Sequence, residues 1–537
     1  MNIPPIAKGM SACMACLVVA AGLRSQIELP KPVRGVFRVD PKGQGADVFR
    51  SLDVAVRFLS LIGVAGDVEV VVAPGVYKGP LRFYSIPGQP DGQKILIRSA
   101  EPGKARLEAE SSILQLVDGA HDLVFDGFVF GPSATQPAVL ISGASKNIEI
   151  RHCHFTEETG GQKVIEIQGS RKASGFDFHH NQFEFSAGSY GIYTQGTTRL
   201  VVHHNDFRCA GVGEPISIWN SNKSESAIHD NVFRGEITRT GIRLNVSGHD
   251  VDVYDNLFLL KVAAARQVIG SRGLRNAAWN RIHHNLFVVF GEGQVYQSSG
   301  PVAINHNSYA VESGFIGKIQ NTDYETLEEW REALTDVAVD EQADQDSVVA
   351  NKDFFDKHTR LIAMFHDFEK YETPEEVEAG EVTETKKPVE NALPVDHKAA
   401  AREVRRARLQ YLIGLLGDDD VVVQRLAIRG LRQMGRAASP AVPALGRICN
   451  HPHAPVRADA VLALQEIQIG AEIVIPELLR LLRDKNVRVL LPTIETLRGF
   501  AHLARQAESD LRILEKHSDE AVKKAAKAAL DAILDKQ

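Results

Sequence analysis

The sequence predicts a mainly β protein, with a parallel β-helix over residues 38–320 followed by a small all-α solenoid over residues 398–537. One motif, a short apolar run, a small polar residue and then an aromatic, recurs eight times between Phe125 and Tyr309. Nearer the C-terminal end, valine-led segments recur at a longer interval and carry leucines at helical spacing. Fixed periods of roughly 20–50 residues are typical of stacked repeats. The two periods therefore predict two repeat domains in succession.

The first period fits one rung of a β-helix. Measured from Gly127 through Cys153 to six asparagines, the successive spacings are 26, 28, 24, 26, 25, 29 and 22 residues. The asparagines are Asn181, Asn205, Asn231, Asn256, Asn285 and Asn307. Three short strands and three turns fill about 25 residues, and alternating runs such as residues 201–204 favour strands. No unit contains a convincing helix pattern, so leucine-rich and ankyrin-type repeats are not expected.

The residues of the motif predict how the rungs stack. An asparagine tolerates the left-handed backbone of a tight corner, and its amide can bond the asparagine one rung away. The aromatic residue two positions later is expected to point inward and to build a phenylalanine column. Adjacent histidines occur at residues 179–180, 203–204 and 283–284. Because neighbouring residues on a strand point to opposite faces, these histidines are expected to form stacked columns and not to chelate a metal easily.

Both ends of the coil need a cap, because end rungs expose apolar edges and unpaired backbone groups. Residues 51–59 have the pattern of an amphipathic helix and are predicted to cap the N-terminal end. A helix that starts near residues 327–330 is predicted to cover the last rung, within a helical or irregular cap over residues 321–366.

The segment ahead of the repeats resembles a known superfamily. Residues 66–77 give a buried strand and a turn, and Gly88, an apolar strand at residues 95–97 and a turn at residues 102–103 follow. Together they resemble the opening of secreted right-handed β-helix proteins of the pectate-lyase-like superfamily. The resemblance covers residues 38–320 and implies a right-handed coil.

The N-terminal residues predict export. Residues 1–25 combine Lys8, an apolar run around residues 12–21 and small residues at 19–21, which is the pattern of a secretory signal peptide. The predicted location is therefore secreted, periplasmic or cell-surface; the alternative is an apolar tail at the chain end. No other stretch is long and apolar enough to span a bilayer, so no membrane span is expected in the mature chain.

The charge of the chain changes after the β-helix. Residues 322–397 contain 22 acidic and 7 basic residues, and residues 367–397 are predicted to be a solvated acidic linker. Beyond it, residues 398–537 resemble a HEAT-type array, with repeated segments that begin at Val423, Val456, Val487 and Val522. The resemblance implies a concave face for a protein partner. The basic excess of this region does not predict nucleic-acid binding, because arginine stems often cover helix surfaces.

Strand alternation places two rows of side chains on one outward face of the β-helix. The first row is Glu166, Tyr193, Ser217, Arg243, Ile269 and Tyr296, and the second is Gln168, Gln195, Trp219, Asn245 and Ser271. Aromatic rings beside amides and an arginine suit the stacking and hydrogen bonding of a sugar chain. The predicted polysaccharide-binding residues are Glu166, Tyr193, Gln195, Trp219, Asn245 and Tyr296. The alternative is that these residues form rung ladders without a ligand.

A segment of this face resembles a family of enzymes. Residues 213–224 and 231–233, followed by residues 240–243, are similar to the chondroitinase-B and alginate-lyase family of β-helix lyases. The resemblance implies that Lys223 abstracts the proton beside a uronate carboxyl and that Arg243 assists the leaving group. It also implies calcium, with Glu214 as a ligand. A lysine beside a cation and a metal can act as a base, and the metal stabilises the developing negative charge.

The sequence also departs from that family. Leu244 and Asn245 follow Arg243 where the family has His-Gly, and Glu214 is the single acidic residue where the family has a pair. Two hypotheses follow. The chain is an exported lyase of an acidic, uronate-containing polysaccharide, or a non-catalytic glycan-binding or surface scaffold protein whose HEAT repeats recruit a protein partner. Hydrolysis by paired carboxylates is not expected, because Glu166 is the only carboxylate in the two rows.

Overall fold

The computed structural model describes most of the chain outside its first 31 residues. The described residues are 32–45, 47–133, 137–158, 163–169, 173–185, 188–196, 199–220, 225–246, 250–271, 280–298, 302–319, 322–334, 344, 346–366 and 397–534. The predicted signal peptide (residues 1–25) and all but the last residue of the predicted linker (residues 367–397) lie outside them. The chain divides into two compact units. Unit 1 is residues 1–252 and 269–280, and unit 2 is residues 253–268 and 281–537.

Unit 1 is built from short parallel strands. They are β1 (Val33–Val39), β2 (Val48–Phe49), β3 (Val64–Val72), β4 (Gly75–Lys78), β5 (Leu81–Phe83), β6 (Ile95–Ser99), β7 (Ala105–Ala109), β8 (Leu114–Leu116), β9 (His121–Asp126), β10 (Phe128–Ser133), β11 (Val139–Gly143), β12 (Lys146–Arg151), β13 (His154–Phe155), β14 (Lys163–Gly169), β15 (Ser174–His179), β16 (Gln182–Phe185), β17 (Tyr190–Gln195), β18 (Leu200–His203), β19 (Asp206–Val212), β20 (Glu214–Asn220), β21 (Glu225–His229), β22 (Val232–Ile237) and β23 (Thr240–Val246).

These strands form three sheets, in which each strand from β3 onward pairs with the strand three places along the chain. Sheet A has the order β2-β1-β3-β6-β9-β12-β15-β18-β21, sheet B the order β4-β7-β10-β13-β16-β19-β22, and sheet C the order β5-β8-β11-β14-β17-β20-β23. Three successive strands therefore make one rung, and each rung lies in parallel register on the previous one. This arrangement confirms the predicted parallel β-helix.

The remaining strands continue the same pattern. They are β24 (Asp250–Tyr254), β25 (Leu257–Val262), β26 (Gln267–Ser271), β27 (Asn280–His283), β28 (Leu286–Phe290), β29 (Gln294–Ser298), β30 (Val302–Asn305), β31 (Ser308–Val311), β32 (Phe315–Ile319), β33 (Thr322–Tyr324) and β34 (Val348–Val349). Within unit 2, the sheet orders are β27-β30, β25-β28-β31-β34 and β29-β32-β33. Strand β33 pairs antiparallel with β32 and ends that sheet.

The asparagines of the motif form the predicted ladder. In unit 1, Asn181 Nδ2 donates to Asn205 Oδ1 (3.0 Å), and Asn205 Nδ2 donates to Asn231 Oδ1 (2.9 Å). The aromatic column is also confirmed, because Phe155, Phe183, Phe207 and Phe233 are fully buried and their rings stack 4.6–4.8 Å apart between centroids. The left-handed backbone, however, belongs to the residue before each asparagine. These residues are His180, His204, Asp230, Asp255, His284 and His306, with φ between 54° and 59°.

The predicted histidine columns are confirmed, since His179 stacks on His203 and His180 on His204 with ring centroids 4.8 and 4.9 Å apart. The prediction that the two rings of a pair point to opposite faces is wrong. Within each pair the two Nδ1 atoms lie only 2.8–2.9 Å apart. The prediction assumed that both residues continue a pleated strand, whose side chains alternate between faces. The second histidine instead starts the turn with a positive φ, which rotates its ring towards that of the first.

Helices cap the solenoid as the sequence predicts. In unit 1, α1 (Leu52–Ile62) begins at Ser51, whose side chain accepts a hydrogen bond from the backbone N–H of Val54. In unit 2, α2 (Leu327–Leu334) buries Trp330 against Tyr296, with ring centroids 6.0 Å apart. The remaining short helices before the predicted linker are α3 (Phe354–Lys357) and α4 (Thr359–His366).

The C-terminal region is a stack of helices. They are α5 (His397–Leu415), α6 (Val421–Gln433), α7 (Val442–Ile448), α8 (Ala454–Ile467), α9 (Ala471–Leu481), α10 (Val487–Phe500), α11 (Glu508–Leu514) and α12 (Glu520–Leu534), with 3-10 helices at Gly435–Ala441 and Ala501–Ala507. Helices α6, α8, α10 and α12 pack side by side in that order, which is the arrangement of an α-solenoid. Among the described residues, no helix combines the length and apolar character needed to cross a bilayer.

An arginine anchors these helices to the last rungs of the β-solenoid, all within unit 2. Arg425 of α6 is completely buried, and its Nε lies 2.7 Å from Asp459 Oδ2. The guanidinium also donates to the backbone carbonyls of His284 (2.7 Å) and Asn285 (3.1 Å) and to Ser308 Oγ (3.0 Å).

Two more arginines of the helical array contact the preceding rung, also within unit 2. Arg429 Nη1 donates to the Asp255 carbonyl at 3.0 Å, and the Arg488 guanidinium lies 3.5 Å from the centroid of the Tyr254 ring. Together with Arg425, they form an arginine-bearing surface of the array that is occupied by the protein's own β-solenoid.

Candidate functional site

Sheet C of unit 1 carries the two outward rows in the predicted register. In the first row, Glu166 pairs with Tyr193, Tyr193 with Ser217, and Ser217 with Arg243. In the second, the paired positions are Gln168, Gln195, Trp219 and Asn245. The residues between the two rows point inward and are fully buried; they are Ile167, Thr194, Ile218 and Leu244. The predicted alternation and alignment of β14, β17, β20 and β23 are therefore confirmed.

The prediction that every residue of the first row lies on the surface is wrong for its last two members. Ile269 is fully buried, and Tyr296 is only 1% exposed. In unit 2, helix α2 lies over the tyrosine and packs Trp330 on it, so Tyr296 does not offer a ring to a ligand. Ser271 of the second row is also buried, and its Oγ accepts a hydrogen bond from Asn280 Nδ2 (3.1 Å).

Trp219 is the most exposed aromatic ring in the two rows. Its side chain is 42% exposed, while its Nε1–H donates to Ser217 Oγ at 2.9 Å. One rung away, Gln195 Nε2 donates to the hydroxyl of Tyr193 at 2.9 Å. The hydrogen bonds fix the polar edges of both aromatic rings and leave ring surface available for stacking.

A third row of polar residues lies three positions earlier on the same strands. Its paired positions are Lys163, Tyr190 and Glu214. Lys163 Nζ lies 2.6 Å from Glu166 Oε1 and 4.1 Å from the centroid of the Tyr193 ring. Sequence reasoning missed this row, although extending the strand alignment back by three residues would have found it.

A second cation accompanies the tyrosines. Arg239 lies just ahead of β23, its guanidinium donates to the hydroxyl of Tyr190, and its Cζ is 5.7 Å from the centroid of that ring. The Tyr190 and Tyr193 rings meet edge to face at 5.8 Å. This part of sheet C therefore presents two aromatic rings, each with a cation beside it.

Glu214 and Arg243 form a buried ion pair beneath this surface. Glu214 is only 3% exposed; its Oε1 accepts a hydrogen bond from Arg243 Nε (2.6 Å), and its Oε2 accepts one from Ser217 Oγ (2.8 Å). Arg243 Nη2 also donates to Thr240 Oγ1 at 3.0 Å, and the arginine side chain remains 18% exposed. The pair holds the guanidinium in one orientation at the edge of the outward face.

These contacts do not fit a calcium ion at Glu214. Calcium takes about six to eight oxygen ligands, whereas this carboxylate is buried and already neutralised by an arginine. Among the described residues, the groups of three side chains with metal-ligand geometry do not include Glu214. Lys223 lies outside the described residues, so its place relative to Arg243 stays a prediction.

Comparison with known proteins identifies the helical region. A family model of HEAT repeats matches residues 409–498, in agreement with the predicted array. No curated protein matches the chain.

Among solved structures, two engineered proteins are 22% and 24% identical to 26% of this chain, with TM-scores of 0.22 and 0.23. The chain spans 64% of the first and 68% of the second. An alginate lyase from Paenibacillus sp. str. FPU-7 is 12% identical over 51% of this chain and 97% of its own, with a TM-score of 0.29.

Proposed function

We propose that sheet C of unit 1 binds a polysaccharide that carries acidic groups. The observation that supports this proposal most directly is the exposed ring of Trp219, which stands in register beside the exposed amide of Gln195 one rung away. On the next rung, both amide atoms of Asn245 are buried, so the prediction that Asn245 contacts the glycan is wrong. An aromatic face stacks on the apolar face of a sugar ring, and amides bond its hydroxyl groups.

The repeat of the coil suits an extended polymer. Neighbouring rungs lie about 4.8 Å apart, so a chain along the coil axis meets a new set of donors on every rung. Arg239 adds positive charge at one edge of the surface, where a carboxylate or sulfate of the glycan would be attracted, whereas the charge of Lys163 is balanced by Glu166. Glu214 is buried under Arg243 and therefore adds little repulsion at the surface.

Replacing Trp219 with alanine is expected to weaken glycan binding by roughly tenfold, because the stacking surface is lost. Affinity electrophoresis or calorimetry with alginate, pectate and glycosaminoglycans would measure the change. Val76→Ala is the control, because Val76 is an apolar residue that is 57% exposed on sheet B of unit 1, away from the rows of sheet C. Equal affinities of Trp219→Ala and the native protein for every glycan that binds would contradict the proposal.

The catalytic form of the proposal is β-elimination. Lys223 would remove the proton beside a uronate carboxyl, and Arg243 would assist departure of the glycosidic oxygen from the neighbouring carbon. The partial exposure of Arg243, which Glu214 and Thr240 hold at the edge of the glycan surface, supports a role in contacting a carboxylate or leaving group.

Lys223→Ala is expected to abolish formation of unsaturated uronate product, because the proposed reaction cannot start unless Lys223 removes the proton beside the carboxyl group. The ultraviolet absorbance of that product, measured on the same glycans, is the readout. Lys104→Ala, an exposed lysine in a turn of unit 1, is the control and should leave the rate unchanged. If the native protein binds a glycan but releases no unsaturated product, the non-catalytic hypothesis replaces this one.

The helical array supports a second role, recruitment of a protein partner. HEAT repeats commonly present an extended surface to other proteins. Because Arg425, Arg429 and Arg488 are engaged with the last rungs of the β-solenoid, a partner would contact other surfaces of the array. A glycan-binding scaffold of this kind must be exported from the cell. The proposed export depends on the signal peptide that the sequence predicts at residues 1–25.

A further inference from the structure

Sheet C of unit 1 carries another exposed aromatic ring beside its first strand, β5. Tyr84 directly follows β5 and is 43% exposed. It continues the alternation of that strand, in which Leu81 and Phe83 are buried and Arg82 is exposed. The parallel register also continues here, because the backbone N–H of Val117 donates to the carbonyl of Phe83 at 3.0 Å. The ring of Tyr84 therefore lies on the outward face of sheet C.

Tyr84 is aligned with the row that contains Trp219. Phe83 pairs with Leu116 and Leu116 with Ile141, which also aligns the residue that follows each of them. Those residues extend the second outward row towards β5, so that the full row is Tyr84, Val117, Ser142, Gln168, Gln195 and Trp219. Five rung spacings of about 4.8 Å separate the two exposed rings, which places them about 24 Å apart along the coil.

An arginine accompanies Tyr84 on the same face. Arg82 Nε donates to Gln115 Oε1 at 2.8 Å, across the first two strands of the sheet. Among the described residues, no carboxylate pairs with Arg82 and its two Nη groups have no partner, whereas Arg98 and Arg151 of sheet A each bind a carboxylate. The glutamine therefore orients the guanidinium and leaves its outer edge open. That edge has the geometry to bind both oxygens of a carboxylate or sulfate.

We propose that Arg82 and Tyr84 form a second glycan-contact site, so that sheet C binds an internal stretch of at least about six sugar residues of an acidic polysaccharide. This inference rests on the proposed function of sheet C. The ring of Tyr84 stacks on one sugar, as Trp219 does five rungs away, and Arg82 binds an acidic group beside it. Between the two rings, Gln168 and Gln195 offer exposed amides to the hydroxyl groups of the chain.

Two separated sites make binding depend on the length of the glycan. A chain that reaches both rings binds more tightly than one that reaches a single ring, because the second contact forms within the same complex. An extended glycan advances by roughly one rung per sugar residue, so tetrasaccharides are too short to reach both sites and octasaccharides are long enough. We expect the affinity to rise by roughly tenfold or more between these two lengths.

Calorimetry with the full-length protein and oligosaccharides fractionated by size tests the inference. The probes are disaccharides to dodecasaccharides prepared from alginate, pectate and chondroitin sulfate. Tyr84→Ala and Arg82→Gln are each expected to weaken binding of octasaccharides and longer chains by roughly tenfold, because one of the two anchors is lost. Tetrasaccharides, which bind at Trp219, should show nearly unchanged affinity. Arg82→Gln should also reduce the loss of affinity on addition of salt, since a charged contact is removed.

Val76→Ala and Arg34→Gln are the controls, because they change an exposed valine of sheet B and an exposed arginine of sheet A. Both should bind octasaccharides as the native protein does. If Tyr84→Ala and Arg82→Gln also bind octasaccharides with native affinity while Trp219→Ala does not, the second site is wrong and the proposed function stands. If the native protein binds none of the probes, or Trp219→Ala binds every probe unchanged, the proposed function fails and the second site fails with it.

Discussion

Replacing Arg425 with methionine is expected to lower the free energy of unfolding by about 3–5 kcal/mol, the usual effect of removing one partner from a buried ion pair. The arginine is completely buried and lies 2.7 Å from Asp459. It also donates to the carbonyls of His284 and Asn285, which lose charge-assisted hydrogen bonds in the variant. Asp459 keeps Arg429 at 3.3 Å, so the carboxylate is weakened but not left without a cation.

Urea unfolding of the full chain, followed by far-ultraviolet circular dichroism, would measure this effect. Arg436→Met is the matched control, because Arg436 is an exposed arginine just after α6 and its replacement should change stability by less than about 0.5 kcal/mol. Hydrogen exchange gives a second readout: the amides of α6 and of β28 should lose protection together in Arg425→Met. A stable variant with unchanged exchange would show that the arginine does not join the array to the last rungs.

Replacing Asn205 with leucine is expected to lower the free energy of unfolding by about 2–4 kcal/mol, because two or more buried polar groups lose partners. The Oδ1 atom of Asn205 accepts from the backbone N–H of Asn181 (2.9 Å), and its Nδ2 donates to the carbonyl of Phe178 (2.8 Å) and to Asn231 Oδ1 (2.9 Å). Leucine has a similar volume but offers no hydrogen bond.

The shift in the thermal or urea midpoint relative to the native protein is the measurement for Asn205→Leu. Gln168→Leu makes the same kind of change at an exposed amide of sheet C and should alter stability little. If both variants unfold at the native midpoint, the asparagine ladder contributes packing alone and its hydrogen bonds are not a main source of stability.

The repeat spacing predicted much of unit 1 because parallel rungs form a nearly one-dimensional stack. Once Asn181, Asn205 and Asn231 are placed above one another, every strand between them is fixed in register to within a residue. For this reason, the amino-acid sequence is sufficient to place Tyr193, Ser217 and Arg243 in one row. The same alignment, carried three residues back, also contains Lys163 and Tyr190, so the repeat spacing is sufficient to predict the third row.

Local backbone geometry was harder to predict than register. The left-handed residue is His204 and not Asn205, because the asparagine must point its amide into the ladder from a position with ordinary backbone angles. That one-residue difference brings neighbouring imidazoles together.

The sequence by itself determined the two repeat systems, the stacking of rungs and the outward rows of sheet C, because each depends on contacts between equivalent positions one period apart. Tertiary structure alone decided which parts of the surface are covered. Tyr296 is buried by Trp330, and Arg425 reaches partners 117 to 141 residues away in a different repeat system. No period relates such residues, and their contacts depend on how the helices of unit 2 pack against its strands.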